Sequence, residues 1–187
     1  MKRQSKRIFS ISCFLLLFAS CNNVGKSQFE KIIFHTTRCF GACPIFHLEL
    51  NKDKKVRLYA ESVSISEENW KKDTSKTGYF EGEVSDSTFQ KLSSIIKSIG
   101  IDTLTFRHEL CCDGSVYTII VYRNGERKFL QSMFPPAKAG PLIGTLFQIC
   151  EGSHLTRSSK PFKIESDHNP LSLPVRFPPE DSTKKDR

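Results

Sequence analysis

Hydrophobic and polar residues alternate along this chain in several short blocks, and each block predicts a strand. Residues 30–36 are the first. In residues 45–50, Phe46, Leu48 and Leu50 fall on one side, and in residues 56–61, Val56, Leu58 and Ala60 do the same, with the polar run Asn51-Lys52-Asp53-Lys54 between them. Period-two alternation on both sides of a short polar run is the pattern of a β-hairpin. Residues 62–76 are polar, hold the only Trp (Trp70), and read as a loop or irregular edge before a short strand at 79–84. Residues 115–122 and 127–131 flank Arg123-Asn124-Gly125-Glu126, where Asn-Gly supplies the positive φ angles of a tight turn. A second hairpin is expected there.

Elsewhere the period lengthens. Phe89, Leu92, Ile95, Ile96 and Ile99 recur at spacings of three and four behind Ser85 and Asp86, residues suited to an N-cap, and the pattern stops at Gly100. This predicts an amphipathic helix with both ends marked. Pro135-Pro136 and Gly140-Pro141 break the chain, and Leu142, Ile143, Leu146, Phe147 and Cys150 then form a second helical stripe ending at Gly152. Each hairpin has one apolar face to cover and the helices can cover it. The expected fold is α+β: a mainly antiparallel sheet built from two hairpins plus flanking strands, covered by two amphipathic helices. From Ser153 onward Pro, Ser and mixed charges replace periodicity, so residues 153–187 are expected to be a disordered polar tail.

The first residues follow neither pattern. Lys2, Arg3, Lys6 and Arg7 precede an apolar run over residues 8–18, the order of a secretory signal. A membrane-spanning helix needs about 20 apolar residues, and this run is shorter. At its end, Leu17-Phe18-Ala19-Ser20-Cys21 resembles the lipobox of bacterial lipoproteins, with Phe18 where Leu, Val or Ile is usual. The expected organisation is a signal peptide at 1–20, a tether at 21–28 lipidated on Cys21, a domain at 29–152 and the tail. An ordinary signal peptide cleaved nearby, leaving Cys21 as a spare thiol, is the alternative. By analogy with known sorting rules, Asn22 in place of Asp points to the outer membrane. The acid-free stretch 22–28 points to its periplasmic side.

A formal charge of +8 invites a nucleic-acid reading. Four of the positive charges leave with the signal, and residues 22–152 hold seventeen Lys or Arg against fifteen Asp or Glu. With no basic footprint left, no nucleic-acid partner is expected. Gly-x-Ser-x-Gly, His-Glu-x-x-His and phosphate-loop patterns are missing, so no catalytic residue is assigned and no cofactor beyond the lipid. Asp113-Gly114 reads as a turn. Glu67, Glu68 and Asp73 lie among lysines as a solvated surface.

Cysteines carry the sharpest chemistry. Beyond Cys21 the mature chain keeps Cys39, Cys43, Cys111, Cys112 and Cys150, an odd number in a segment expected to be exported, where disulfides form. Gly41 and Pro44 favour a turn that can bring Cys39 and Cys43 within the Cα separation of about 4.4 to 6.8 Å that a bridge needs. A bridge from either one to Cys111 or Cys112 is the competing arrangement. Two further readings stay open. Arg38 or a helix N-terminus could lower a thiol pKa for redox chemistry, although the spacing is not Cys-x-x-Cys. His35, Cys39, Cys43 and His47 recur at every fourth position with donors suited to zinc or copper, and His108, Cys111 and Cys112 could add ligands. Gly41 and Pro44 forbid one continuous helix, so that spacing alone does not gather the four, and no metal is the leading expectation. Cys150 continues the second helix's apolar stripe and reads as core packing.

The run Thr37-Arg38-Cys39-Phe40-Gly41-x-Cys43-Pro44-x-Phe46, the charged hairpin after it, the Gly78-Tyr79-Phe80 to Gly82 stretch and the first amphipathic helix resemble a bacterial family known only as a domain of unknown function, number 6438. Its members are mostly small secreted proteins or lipoproteins. The resemblance spans roughly residues 32–149, with Asp113 matching an Asp before the second hairpin; Cys111, Cys112 and the tail depart from it. It implies export and fold and supplies no catalytic residues. The expected function is therefore a lipid-anchored envelope protein, held to the membrane through Cys21, with a non-enzymatic domain that binds an envelope protein or small ligand or serves structure. A thiol redox or metal-handling lipoprotein using Cys39 and Cys43 is the alternative.

Overall fold

The computed structural model describes residues 28–66, 71–107, 109 and 113–165. The expected signal peptide and Cys21 lie outside them, as do Trp70, His108, Cys111, Cys112 and residues 166–187.

Both predicted hairpins form, β2 (Ile45–Asn51) with β3 (Lys55–Ser62) and β5 (Tyr117–Arg123) with β6 (Glu126–Ser132). Asn124 and Gly125 take φ 54° and 77°, as their turn requires. Between the hairpins runs β1 (Lys31–Thr36), antiparallel to β2 on one side and β5 on the other. With β4 (Gly78–Glu83) and β7 (Leu155–Arg157) the sheet has seven strands in the order β6-β5-β1-β2-β3-β4-β7. Every pairing is antiparallel.

Helix α1 (Asp86–Ile99) is capped as its sequence predicts: the Ser85 hydroxyl accepts from the Thr88 N–H, and Gly100 closes the C-terminus at φ 60°. Helix α2 (Gly140–Cys150) follows a single 3-10 turn at Ala137–Ala139 and starts with Pro near its first position, where a missing N–H costs nothing. Leu92, Ile96 and Ile99 of α1 and Leu142, Leu146 and Ile149 of α2 pack on Ile32, Phe34, Leu48, Leu58 and Ile119 of the sheet. The α+β architecture with two covering helices is thus the observed one.

Strand alternation gives the other face of the sheet a different content. Ile33 and Ile120 are buried there against Ile164, with Tyr122, Phe129 and Phe162 beside them. The cover is the chain's own C-terminal extension. After α2, β7 adds an edge strand and residues 158–165 cross back over the sheet, starting from a Ser158 N–H donated to the Tyr79 carbonyl. The domain end expected at Gly152 therefore moves: residues 153–165 pair and pack with the sheet. One buried and one half-buried apolar residue, Ile164 and Phe162, and one edge strand leave no periodicity in so short a polar segment.

Chain entry and the hairpin turns share one end of the sheet, where Glu30 bonds Tyr122, Lys52 and Gly125. The segment joining β1 to β2, with Cys39 and Cys43, lies at the other.

Gly82 pairs with Leu155, and a Cβ there would stand 2.3 Å from the His154 carbonyl oxygen. Gly82→Ala should cost about 1 to 3 kcal/mol by overpacking, and hydrogen exchange should show the loss concentrated in residues 154–165.

Candidate functional site

Cys39 and Cys43 are joined by a disulfide with their Cα atoms 5.7 Å apart. Gly41, at φ 157°, carries the chain through the short ring, and the Phe40 N–H bonds the Asp113 carbonyl at 2.9 Å, which ties the ring to the turn before β5. On the sheet side the Thr36 hydroxyl donates to the Pro44 carbonyl and accepts from the Phe46 N–H, fixing where β2 begins. Phe40 projects outward, 80 % exposed.

Beside this ring opens a cleft of about 510 Å³. Its apolar lining includes Pro44, Phe46, Leu58, Phe80 and Leu155, and its polar lining Ser64, Ser75, Lys76 and Glu151. It lies where the end of α2 meets the segment after β3, held by an isolated bridge between Ser64 and Lys72. Ile65, 53 % exposed, adjoins the lining. The volume falls in the range of small-ligand sites, about 300–1,000 Å³, and the walls are apolar and polar in similar measure. Cys150, buried in the helical stripe as expected, also lines the cleft, and burial pushes its thiol well above the ordinary range. A thiol so desolvated is a packing group rather than a nucleophile.

The four residues of the metal reading do not converge as a set. Each cysteine sulfur is bonded to the other, and among the described residues no three His, Cys, Asp or Glu side chains gather as metal ligands. Antiparallel register does bring the histidines together. His35 and His47 stand opposite each other on β1 and β2, with Nδ1 to Nδ1 at 2.9 Å. Both are buried, at 3 % and 1 % exposure, on the face away from the helices and the cleft. His35 Nε2 lies 2.9 Å from the Glu165 carbonyl oxygen, and His47 Nε2 lies 3.4 Å from the Glu61 carboxylate. Stacking continues from His47 to Tyr59 and Tyr79, and Phe162 meets Tyr79 edge-on.

Burial, reinforced by the neighbouring His47, holds His35 down to about 4, and burial alone does the same for His47. Sequence reasoning noted these histidines and missed their contact. The signal was present: pairing residues symmetrically about Gly41 places Ile32 against Leu50 and His35 against His47.

A family model, that of a domain of unknown function (DUF6438), matches residues 30–139. The chain belongs to that family. No curated protein matches it. The family match takes in the disulfide ring, His35, His47 and Glu61; α2, β7 and residues 158–165 lie beyond it.

Two outcomes follow from this geometry. Removing the ring with Cys39→Ala and Cys43→Ala should cost about 2 kcal/mol, the chain-entropy value for so short a loop, read as the shift of a urea unfolding curve. The histidines titrate near 4 when folded and near 6.5 when unfolded, so the unfolded chain binds more protons between those values. Their contribution is complete above about pH 6.5 and declines as pH falls to about 4, by up to roughly 3 kcal/mol for each ring. Urea unfolding at stepped pH should show a smaller loss over this window in the His35→Gln, His47→Gln double variant.

Proposed function

We propose that this protein is a bacterial envelope lipoprotein whose domain binds a partner, without catalysing a reaction, through the cleft beside the Cys39–Cys43 ring. The cleft carries this reading. Core residues form one wall, the covalently clamped turn a second and the loop after β3 a third, and walls fixed before binding lower its ordering cost. Ile65, exposed between the lining residues Ser64 and Ser66, extends apolar surface from its rim, which fits an apolar side chain or small ligand entering from outside. The paired histidines, the acid–base groups best suited to chemistry, face the opposite side of the sheet.

For the anchor, the support is the N-terminal sequence: four basic residues, a short apolar run, then Ala19-Ser20-Cys21. Among the described residues no helix is long and apolar enough to cross a membrane. We infer cleavage before Cys21, lipid on its thiol, and attachment to the periplasmic side of the outer membrane.

One experiment addresses both parts. A photo-crosslinking residue replaces Ala42 at the cleft, or Lys91 on the exposed side of α1 as control, in cells labelled with palmitate. Label on the wild type and none on Cys21→Ser supports the anchor. A discrete adduct from position 42, absent from position 91 and lost when Val63→Trp fills the cleft, supports the binding site; equal adducts from both positions would overturn it.

A further inference from the structure

We propose that residues 158–165 form an acid-released strap, latched onto the sheet by the His35–His47 pair. The hydrogen-bond chain has one self-consistent neutral arrangement. The Glu165 carbonyl can only accept, so His35 Nε2 carries a hydrogen and donates to it. A neutral His35 then has a bare Nδ1, which must accept from His47 Nδ1–H across 2.9 Å. His47 Nε2 is left without a hydrogen, facing the Glu61 carboxylate at 3.4 Å, acceptor against acceptor.

Proton placement follows from that count. A first added proton settles between His47 Nε2 and Glu61 and completes the chain without breaking a bond. A second has only His35 Nδ1 to occupy, where it would meet His47 Nδ1–H head-on. Two imidazolium rings cannot share this contact, so the doubly charged pair must separate. His35 is the ring bonded to the strap, so a His35 that turns away from His47 gives up its bond to the Glu165 carbonyl. The low proton affinity of both rings accords with this resistance to charging: burial lowers both, and at His35 burial and the neighbouring His47 outweigh the Glu165 carbonyl and carboxylate, which favour the charged ring.

Other groups around the pair do not offer an alternative sink. Thr118 stands opposite His35 on β5, bonded to Gln131 and uncharged. On β3 and β4, Tyr59 and Tyr79 stack beyond His47, and Arg57 is engaged with Glu49. The Glu165 carboxylate meets Lys31 at 2.9 Å, Arg127 at 3.2 Å and the Tyr122 hydroxyl, and these contacts hold it below the usual carboxylate range despite its partial burial. It therefore stays ionised as the histidines charge and keeps these three partners, so opening the strap has to break them together with the contacts of Phe162 to Tyr79 and Arg57 and of Ile164 to Ile33 and Ile120. Release would uncover Ile33 and Ile120, which are fully buried at neutral pH, and expose more of the half-buried Tyr59 and Tyr79.

Hydrogen exchange on the full-length chain, corrected for the intrinsic pH dependence, tests the latch. Strap amides should exchange at least tenfold faster at pH 4.5 than at pH 7, while those of α1 and β5 keep their protection. His47→Gln, which can donate to His35 Nδ1 but cannot be charged, should abolish the step; Glu165→Gln, which keeps the carbonyl, should preserve it. Should His47→Gln fail to fold, ring NMR signals of His35 and His47 in the wild type must titrate over the same interval in which the strap opens. Strap and α1 losing protection together, the step persisting in His47→Gln, or rings titrating while the strap stays protected would each overturn the proposal.

Discussion

Strand β1 is hydrogen-bonded on both edges, and its register against β2 and β5 decides what each layer of the molecule contains. Side chains on a strand alternate between faces, so one register assigns Ile32 and Phe34 to the helices and Ile33 and His35 to the opposite side. A slip of one residue would exchange the two sets, placing histidine in the helical core and phenylalanine under the strap. The disulfide ring and the Thr36 hydroxyl act at the point where this register is set, since both govern how many residues separate β1 from β2. Covalent clamping at Cys39 and Cys43 therefore contributes to the placement of the histidines on the far face as much as to the turn itself.

Two layers of unequal character result. Helices α1 and α2 cover the sheet with aliphatic and aromatic packing, whereas the opposite face is closed by a single extended segment held through apolar and aromatic contacts, three contacts to one carboxylate and a histidine pair. The first layer is apolar and insensitive to protonation. The second combines apolar and aromatic packing with groups whose interactions depend on charge. The cleft lies on the helix side of the sheet and the titratable cluster on the other, so the proposed recognition and the proposed proton response use separate surfaces of one sheet.

Local patterns made much of the fold legible from residues alone. Alternation around Asn124-Gly125 and around residues 51–54 specified both hairpins, and Ser85 with Gly100 bounded α1, because each signal acts over a few neighbouring residues. The central position of β1 was not legible, since a strand pairing with partners more than eighty residues away carries no local mark of it. The strap was missed for a related reason: Phe162 and Ile164 are two apolar residues in a polar stretch, and only the tertiary fold provides the face they cover. For the candidate site, the disulfide could be anticipated from Gly41 and Pro44, while the cleft arises where α2, β3 and β7 meet and has no sequence signature.

Glu165 and Lys31 are bonded to each other, so the described chain leaves the sheet beside the place where it enters, among the hairpin turns. The Cys39–Cys43 ring occupies the opposite end. Any support joined to the first residues thus meets the domain at its closed end and presents the cleft outward, like a cup held by its base. A load drawn between the two ends of residues 28–165 would act across the Lys31–Glu165 contact and peel the strap before it strained the sheet.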